Sequence, residues 1–480
     1  MAPRATIRPG ITWGPHVDGG LRPPLSPNRR RSASTEHVPT IRKPGPKSVH
    51  EDEDGEIVTV PLIAAFSKDA PEGAGLKSRR LSTALPDQFI VDHCELDKEF
   101  VSSSKIPFRR GKAVGEGATA TVRLMYRKGD ADHTIYAVKE FRGRDKREDS
   151  EEDYCKKIMG EYTIAKSLHH PNIVDTVRLC THHGRWDHVM EYCAHGELFQ
   201  YVSKRLFQTC WTLKDQQCFF KQLVRAVDYL HGHGIAHRDI KLENLLLTSE
   251  GCLKLTDFGV ADVFCGEHPG VRASGGECGK NMGEVRRCRP GILGSLPYMA
   301  PEVLAKKGDY DPRGLDVWSC AIVYLTMTYG GNPWPAANEQ NTYYLRFKNG
   351  YEKWMRENAD CVITDNNYPV CGPLFKFSER LGGPSMKRLM LKMMNPNPDK
   401  RISIHDVLLS NAVKGIECCT EESYEEGSTY NVDASKGKAV TSDGKKAKMQ
   451  VKKKHSHVPP KEHKTPKVFQ HRFDMGDGYS

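Results

Sequence analysis

The chain has 480 residues, 28% of them charged, and a formal net charge of +10, long enough for two or three domains or one large bilobal one. Its longest apolar run, around Val317 to Met327, is too short to span a bilayer, and the N-terminus, Met-Ala-Pro-Arg-Ala-Thr-Ile-Arg, lacks the apolar core of a signal peptide, so a soluble intracellular chain is expected. Fifteen cysteines without a Cys-x-x-Cys pair fit neither a disulfide framework nor a zinc finger and point to a reducing compartment.

Residues 1–104 are rich in Pro, Ser, Arg and acidic clusters with no sustained apolar period, and are expected to be disordered. Ser32, Ser34 and Ser82 each stand in arginine-rich runs that suit a basophilic modifying enzyme. From Phe108 the pattern changes to strands and turns. Gly115-Glu116-Gly117-Ala118-Thr119-Ala120-Thr121-Val122 reads as strand, glycine turn, strand, followed by a strand over Tyr136 to Phe141. Backbone amides free of side chains can approach phosphates there, and a hairpin in place of a strand followed by a helix argues against a dinucleotide site. Ala120 stands where the motif would have a third glycine, so a stiffer loop is expected.

The run Tyr154 to Leu168 has helical spacing, with Ile158, Tyr162, Ile164 and Ala165 on a packed face. Val189-Met190-Glu191-Tyr192-Cys193 reads as a strand leading into a connection between lobes, and Lys214 to His233 as a long helix. It leads into His237-Arg238-Asp239-Ile240-Lys241-Leu242-Glu243-Asn244, followed at short range by Thr256-Asp257-Phe258-Gly259. Asp239 can accept a proton from a hydroxyl, while Asn244 and Asp257 offer the hard oxygen ligands that Mg²⁺ prefers. Together these residues are equipped for phosphoryl transfer.

Between Asp257 and Ala300-Pro301-Glu302 the only hydroxyl residues are Ser274, Ser295 and Tyr298. Asp316 to Cys320 begins a buried helix, the turn Asn332-Pro333-Trp334-Pro335 follows it, and the fold should end near Cys419. Beyond it the tail is low in apolar residues and rich in Lys, Gly and Ser. No nearby cysteine or carboxylate completes a site for His455 and His457, so a solvated tail is expected. Without interleaved aromatics the lysine run is a poor nucleic-acid binder, and weak attraction to an anionic membrane is the better expectation.

With these motifs in place, residues about 108–415 resemble a eukaryotic protein kinase domain. Lys241, Asn244 and Asp257 follow Asp239 at two, five and eighteen residues, as in that family. Gly160-Glu161-Tyr162-Thr163-Ile164 before His169-His170-Pro171-Asn172, Gly294-Ser295-Leu296-Pro297-Tyr298 and Tyr310-Asp311-Pro312-Arg313 look like the fungal halotolerance and nitrogen-permease-reactivator kinases, and Glu417-Cys418-Cys419 like the halotolerance branch. Leu242, where proline is common, and a segment lengthened around Ala273 to Arg289 depart from the pattern.

The resemblance implies an α+β, bilobal fold with a β-rich small lobe, a mainly helical large lobe and disordered flanks: residues 1–104, a kinase domain over 105–415 and a basic tail over 416–480. It implies ATP and Mg²⁺ as cofactors. Asp239, Lys241, Lys139 and Glu161 are the catalytic set, with Glu161 pairing Lys139 because it precedes the Pro171 turn that closes this helix in kinases. Gly115, Gly117, Val122, Ala137, Lys139, Glu191, Cys193, Glu197, Asn244 and Asp257 would hold the nucleotide, and Asn244 and Asp257 the metal. Met190 would back the adenine pocket. Ser295 would contact Asp239 and Lys241, as in Ser/Thr-directed members. Arg238 marks kinases whose activation segment is held by a phosphate, for which Ser274 is the remaining acceptor. Asp316 should hold the catalytic-loop backbone, and Arg401 should pair with Glu302.

The expected activity is transfer of the ATP γ-phosphate to protein hydroxyls, with a preference for Arg-x-x-Ser/Thr through Glu197 and Glu243. The expected role is regulation of plasma-membrane transporters and of ion or nutrient homeostasis. A monomer in the cytoplasm, peripheral at the plasma membrane, goes with that reading. A pseudokinase scaffold is the rival, disfavoured because Lys139, Asp239 and Asp257 are all present; a small-molecule phosphotransferase would lack the Ala300-Pro301-Glu302 anchor.

Overall fold

The computed structural model describes residues 58–59, 86, 89–102, 113–116, 120–144, 150–271, 282–291, 294–375, 378–420, 431–433, 438–440, 446–447 and 455–460. Gly117 and Ser274, the arginine-linked serines Ser32, Ser34 and Ser82, and the tail lysines Lys445, Lys448 and Lys452 to Lys454 lie outside the described residues.

The small lobe grows from one hairpin. Ala120–Arg127 and Ile135–Phe141 carry the β-branched and aromatic residues that fill a half-buried pleated surface. Between them Gly129 supplies a positive φ of 72°, and the Asp130 carboxylate accepts the N–H groups of Asp132 and Thr134, which closes the turn. The hairpin register sets Lys139 opposite Val122, and on its other side Lys139 faces His188 of the strand Arg185–Glu191. Ala120 opens its strand in extended backbone opposite Phe141. The alanine is therefore never asked for a positive φ, and the stiffness expected of it does not arise at that residue.

The seven-stranded sheet extends further toward the N-terminus than the sequence suggests. His93–Glu95 pairs in parallel with Thr176–His182, and Phe100–Ser102 pairs with the end of Ala120–Arg127. Phe89, Val91, Leu96 and Phe100 are buried. The expected start of the folded domain at residue 105 is thus too late by more than a dozen residues. Two three-residue strands carry too little periodicity to stand out, and their partners lie downstream, Leu179 for His93 and Arg127 for Phe100. Phe89 also meets His268 edge-to-face, so this extension packs against the segment that follows Asp257.

The helix Glu151–Lys166 crosses the sheet. Ser150 caps it by accepting the Asp153 N–H at 3.0 Å, and Glu151, Glu152 and Asp153 oppose the positive end of its dipole. Its buried face, including Ile158, Tyr162 and Ile164, presents Glu161 on the same side.

The large lobe is built on Leu213–Gly232 and Pro312–Tyr329, both inside one extended apolar core. The first begins with a reciprocal capping box between Thr212 and Asp215. The second begins with Asp311 ahead of Pro312 and ends at Gly330, whose φ of 73° suits the left-handed cap. Trp318 at its centre is fully buried and packs edge-on against Phe347 of the helix Thr342–Glu357, while the Arg401 guanidinium lies over its ring. No helix among the described residues is long and apolar enough to cross a membrane.

The tail differs from the expectation at His455–Pro460. His457 is 1% exposed, bonded to Asp215 at 2.8 Å and packed on Phe219, and the Ser456 hydroxyl donates to the Glu250 carbonyl. The reading of His455 and His457 as solvated fails because their partners, more than 200 residues away, are invisible to local composition.

Candidate active site

Two short antiparallel strands, Leu245–Leu247 and Leu253–Leu255, carry the central residues. Their leucines are drawn into the core, which places the loop before the first strand and the loop after the second side by side. Two hydrogen bonds hold the loops together. The Thr256 N–H donates to the Asn244 carbonyl at 3.0 Å, and the His237 ring meets the Thr256 carbonyl at 3.0 Å. Asp257, next in sequence, sits at a φ of 66°, a left-handed conformation that costs energy in a non-glycine residue and persists only where neighbours enforce it.

Asp316 supports the loop from beneath. Fully buried, it accepts the backbone N–H groups of His237 and Arg238, both at 2.8 Å, and its carboxylate meets the His231 ring at 3.0 Å. Arg238 has a φ of 64°, so the aspartate holds a bend that the backbone alone disfavours.

Asp239 is held at both carboxylate oxygens. Oδ1 accepts the Ser295 N–H at 3.0 Å, while Oδ2 accepts the Lys241 ammonium at 2.8 Å and the Asn244 amide at 3.3 Å. Lys241 also donates to the Ser295 hydroxyl at 3.0 Å. Burial pulls the Lys241 ammonium toward neutrality, but the Asp239 charge outweighs it and keeps the amine protonated. Gly294, with a φ of 106°, is required here, because a Cβ would lie 2.9 Å from the Asp239 carboxylate.

Lys139 crosses the cleft from the small lobe. Its ammonium lies 2.5 Å from Glu161 and 3.0 Å from Asp257. Desolvation would favour the neutral amine, yet the two carboxylates overcome it and hold Lys139 charged above its ordinary range. Asn244 spends its side-chain nitrogen on Asp239, including the Asp239 carbonyl at 2.8 Å, and so keeps its side-chain Oδ1 for a ligand. That oxygen and the Asp257 carboxylate are the hard donors that suit Mg²⁺, so the residues present fit the ion.

The nucleotide walls are less uniform. Ala137 is buried opposite Leu124 and Met190, and Val122 is half-buried. Gly115 lies in the strand Ala113–Glu116 opposite Val122. The Glu191 N–H donates to the Asp175 carbonyl at 2.9 Å and its carboxylate pairs with Lys254 at 2.8 Å. The Cys193 carbonyl accepts the Gly196 N–H at 3.1 Å, and burial pushes its thiol up to about 12. Glu197 is half-buried in a two-residue strand with Gly196 that pairs with Leu246–Leu247.

Arg238 already has partners within the protein. Its guanidinium lies 3.3 Å from Asp262, donates to the Val260 carbonyl at 2.7 Å and contacts the Cys288 sulfur at 3.3 Å. Asp262 is the residue that sequence reading missed. The only available signal was an acidic residue five positions after Asp257, too common to single out. At the far end of the segment Arg401 grips Glu302 through two bonds of 2.7 and 2.9 Å, as expected.

A family model described as the protein kinase domain matches residues 108–411. The chain belongs to the protein kinase family. The kinase domain is 34% identical over 322 residues to the serine/threonine-protein kinase HAL4/SAT4 of Saccharomyces cerevisiae, an alignment covering 64% of this chain and 46% of that protein. It is 34% identical over 324 residues to the serine/threonine-protein kinase hal4 of Schizosaccharomyces pombe, covering 64% and 43%. With the nitrogen permease reactivator protein of S. cerevisiae the identity is 39% over 249 residues, covering 52% and 28%. The chain thus spans less than half the length of each of these relatives.

Proposed function

We propose that this chain is an active serine/threonine protein kinase that transfers the γ-phosphate of ATP to a protein hydroxyl. The observation that carries the reading is Lys139 held between Glu161 and Asp257, because it joins the small lobe, its helix and the catalytic loops in one charged assembly. A magnesium-bound triphosphate in this cleft would supply the transferable phosphoryl group with much of its charge neutralised. The protein's part is positioning and electrostatics. Asp239 accepts the proton of the incoming alcohol, Lys241 stands beside it to offset charge on the transferring group, and Ser295 braces both.

A pseudokinase scaffold would have no use for this set of interlocked charges. The deciding experiment compares transfer from labelled ATP to a basic peptide by wild type and Asp239→Asn. Equal transfer by the two proteins would refute the assignment.

We further propose a regulatory role toward membrane transport proteins, with selection of Arg-x-x-Ser/Thr sites by Glu197 and Glu243. The name of one relative, the nitrogen permease reactivator protein, supports the first part. A positional peptide array without arginine enrichment three residues before the acceptor would remove the second. A cytoplasmic location with weak attachment to anionic membranes through the lysine-rich tail completes the proposal. Equal vesicle sedimentation with and without residues 436–480 would remove the attachment.

A further inference from the structure

Four ligating side chains from three separate stretches, none of them among the cleft residues, converge. Cys218 comes from the helix Leu213–Gly232, Cys419 from the end of the folded domain, and His455 and His457 from the tail; one ligand atom of each lies within 4.8 Å of all the others. Cys218, Cys419 and His457 are buried, and His455 is half-buried. Two sulfurs and two imidazole nitrogens are the donor set of a closed structural Zn²⁺ site. We propose that these four residues bind one zinc ion, which pins the tail to the large lobe.

Three observations point to a metal and not merely to apolar packing. First, the Nε2 atoms of both His455 and His457 are buried without a hydrogen-bond partner. A buried imidazole nitrogen left unsatisfied is costly, and a metal removes that cost. Second, the other ring nitrogen of His457 is bonded to the Asp215 carboxylate at 2.8 Å. This carboxylate–histidine pairing fixes the ring and leaves Nε2 to the metal, as outer-sphere carboxylates do in zinc proteins. Third, the Cys218 sulfur accepts the Cys419 N–H at 3.3 Å and the Gln222 amide at 3.4 Å. Such donors stabilise a thiolate.

The charges balance. Zinc binding releases one proton from each of the two thiols, so Zn²⁺ with two thiolates and two neutral imidazoles carries no net charge, which suits a buried position. Bonds of about 2.3 Å to sulfur and about 2.0 Å to nitrogen place tetrahedral ligand atoms roughly 3.3 to 3.8 Å apart. From separations of at most 4.8 Å the cluster therefore needs to contract by no more than about 1 to 1.5 Å, within reach of side-chain rotation. The approach is already tight on the tail side: a Cβ on Gly251, which has a φ of 79°, would lie 2.5 Å from the Val458 nitrogen.

Cys418 and Cys252 pack on the same sulfur cluster. Cys418, however, is engaged by Thr420 at 3.2 Å and by the Arg225 guanidinium, which makes it a neighbour and not a ligand.

The test uses the full chain, purified without chelator and analysed for metal by mass spectrometry. About one zinc per chain is expected. His455→Ala and His457→Ala remove both tail ligands, and circular dichroism of the variant checks that the large lobe is still folded; together they should lower zinc content at least about tenfold, and Asp215→Asn should weaken zinc about 10- to 100-fold in a competition with a colorimetric chelator. Replacement by Co²⁺ should give the strong visible bands and sulfur-to-metal charge transfer of a tetrahedral thiolate site. Wild type with no more zinc than the double histidine variant would overturn the proposal, as would zinc retained in full by that variant.

Discussion

The cleft and the cysteine–histidine cluster both gather ligating groups from distant parts of the chain, but they satisfy them differently. In the cleft, Lys139, Lys241, Asp239 and Asp257 are paired with one another or with Glu161 and Asn244, so the arrangement is complete before any ligand arrives. In the cluster, two imidazole nitrogens are left without partners. A set of opposite charges can preorganise itself, whereas two thiols and two neutral imidazoles have little to offer each other. An array of the second kind gains its stability from a cation supplied from outside.

Breaking one residue in each place should separate the two. Asp239→Asn is expected to lower peptide phosphorylation by about 10²- to 10⁴-fold, since it removes the proton acceptor. The same variant should keep its zinc, and His457→Ala should do the reverse. Parallel measurement of turnover and metal content checks both, and a loss of zinc in Asp239→Asn would dissolve the distinction.

The internal pairing can also be broken at a purely structural site. Arg401→Ala leaves Glu302 without its buried partner and should cost about 3 to 5 kcal/mol in a urea titration, with metal content unchanged. A change below about 1 kcal/mol would mean that solvent replaces the arginine.

Acid sharpens the comparison further. Burial, aided for His188 by the Lys139 charge, holds His188 at about 3, and burial holds His268 at about 4, against an ordinary 6.5. Both are neutral when folded, so the unfolded chain binds more protons between these values and 6.5. Their contribution is complete above about pH 6.5 and is lost as the pH falls toward about 4 for His268 and about 3 for His188, the loss reaching about 2 kcal/mol for each at pH 5. Thermal melts at pH 7 and pH 5 would register this, and equal stability at both would contradict it. An effect of similar size should come from Gly294→Ala, where strain of about 1 to 3 kcal/mol against Asp239 is expected both to slow turnover and to lower the melting temperature, and an unmoved melt would show that the loop relaxes around the added methyl.

How far the sequence could be read depended on the length of chain over which each feature is encoded. Asp239, Lys241 and Asn244 share one loop, and their contacts follow from its turn. Lys139 and Glu161 are legible because a strand and a helix of ordinary length set their sides. The Arg238–Asp262 pair was not, since an acidic residue in a glycine-rich stretch has many bland explanations and only the fold turns it toward the guanidinium. Phe89 to Ser102 was read as unstructured because its strands are too short to show a period.

From the residues alone came the family, the two-lobed architecture and the order of the phosphoryl-transfer groups, because these rest on spacings within a few turns of chain. Tertiary structure decided the rest: that Asp262 occupies Arg238, that Phe89 and Phe100 complete the small lobe, and that Cys218 meets His457 across 239 positions of sequence. Contacts of that reach leave no local pattern, since they depend on where several folded segments come to rest.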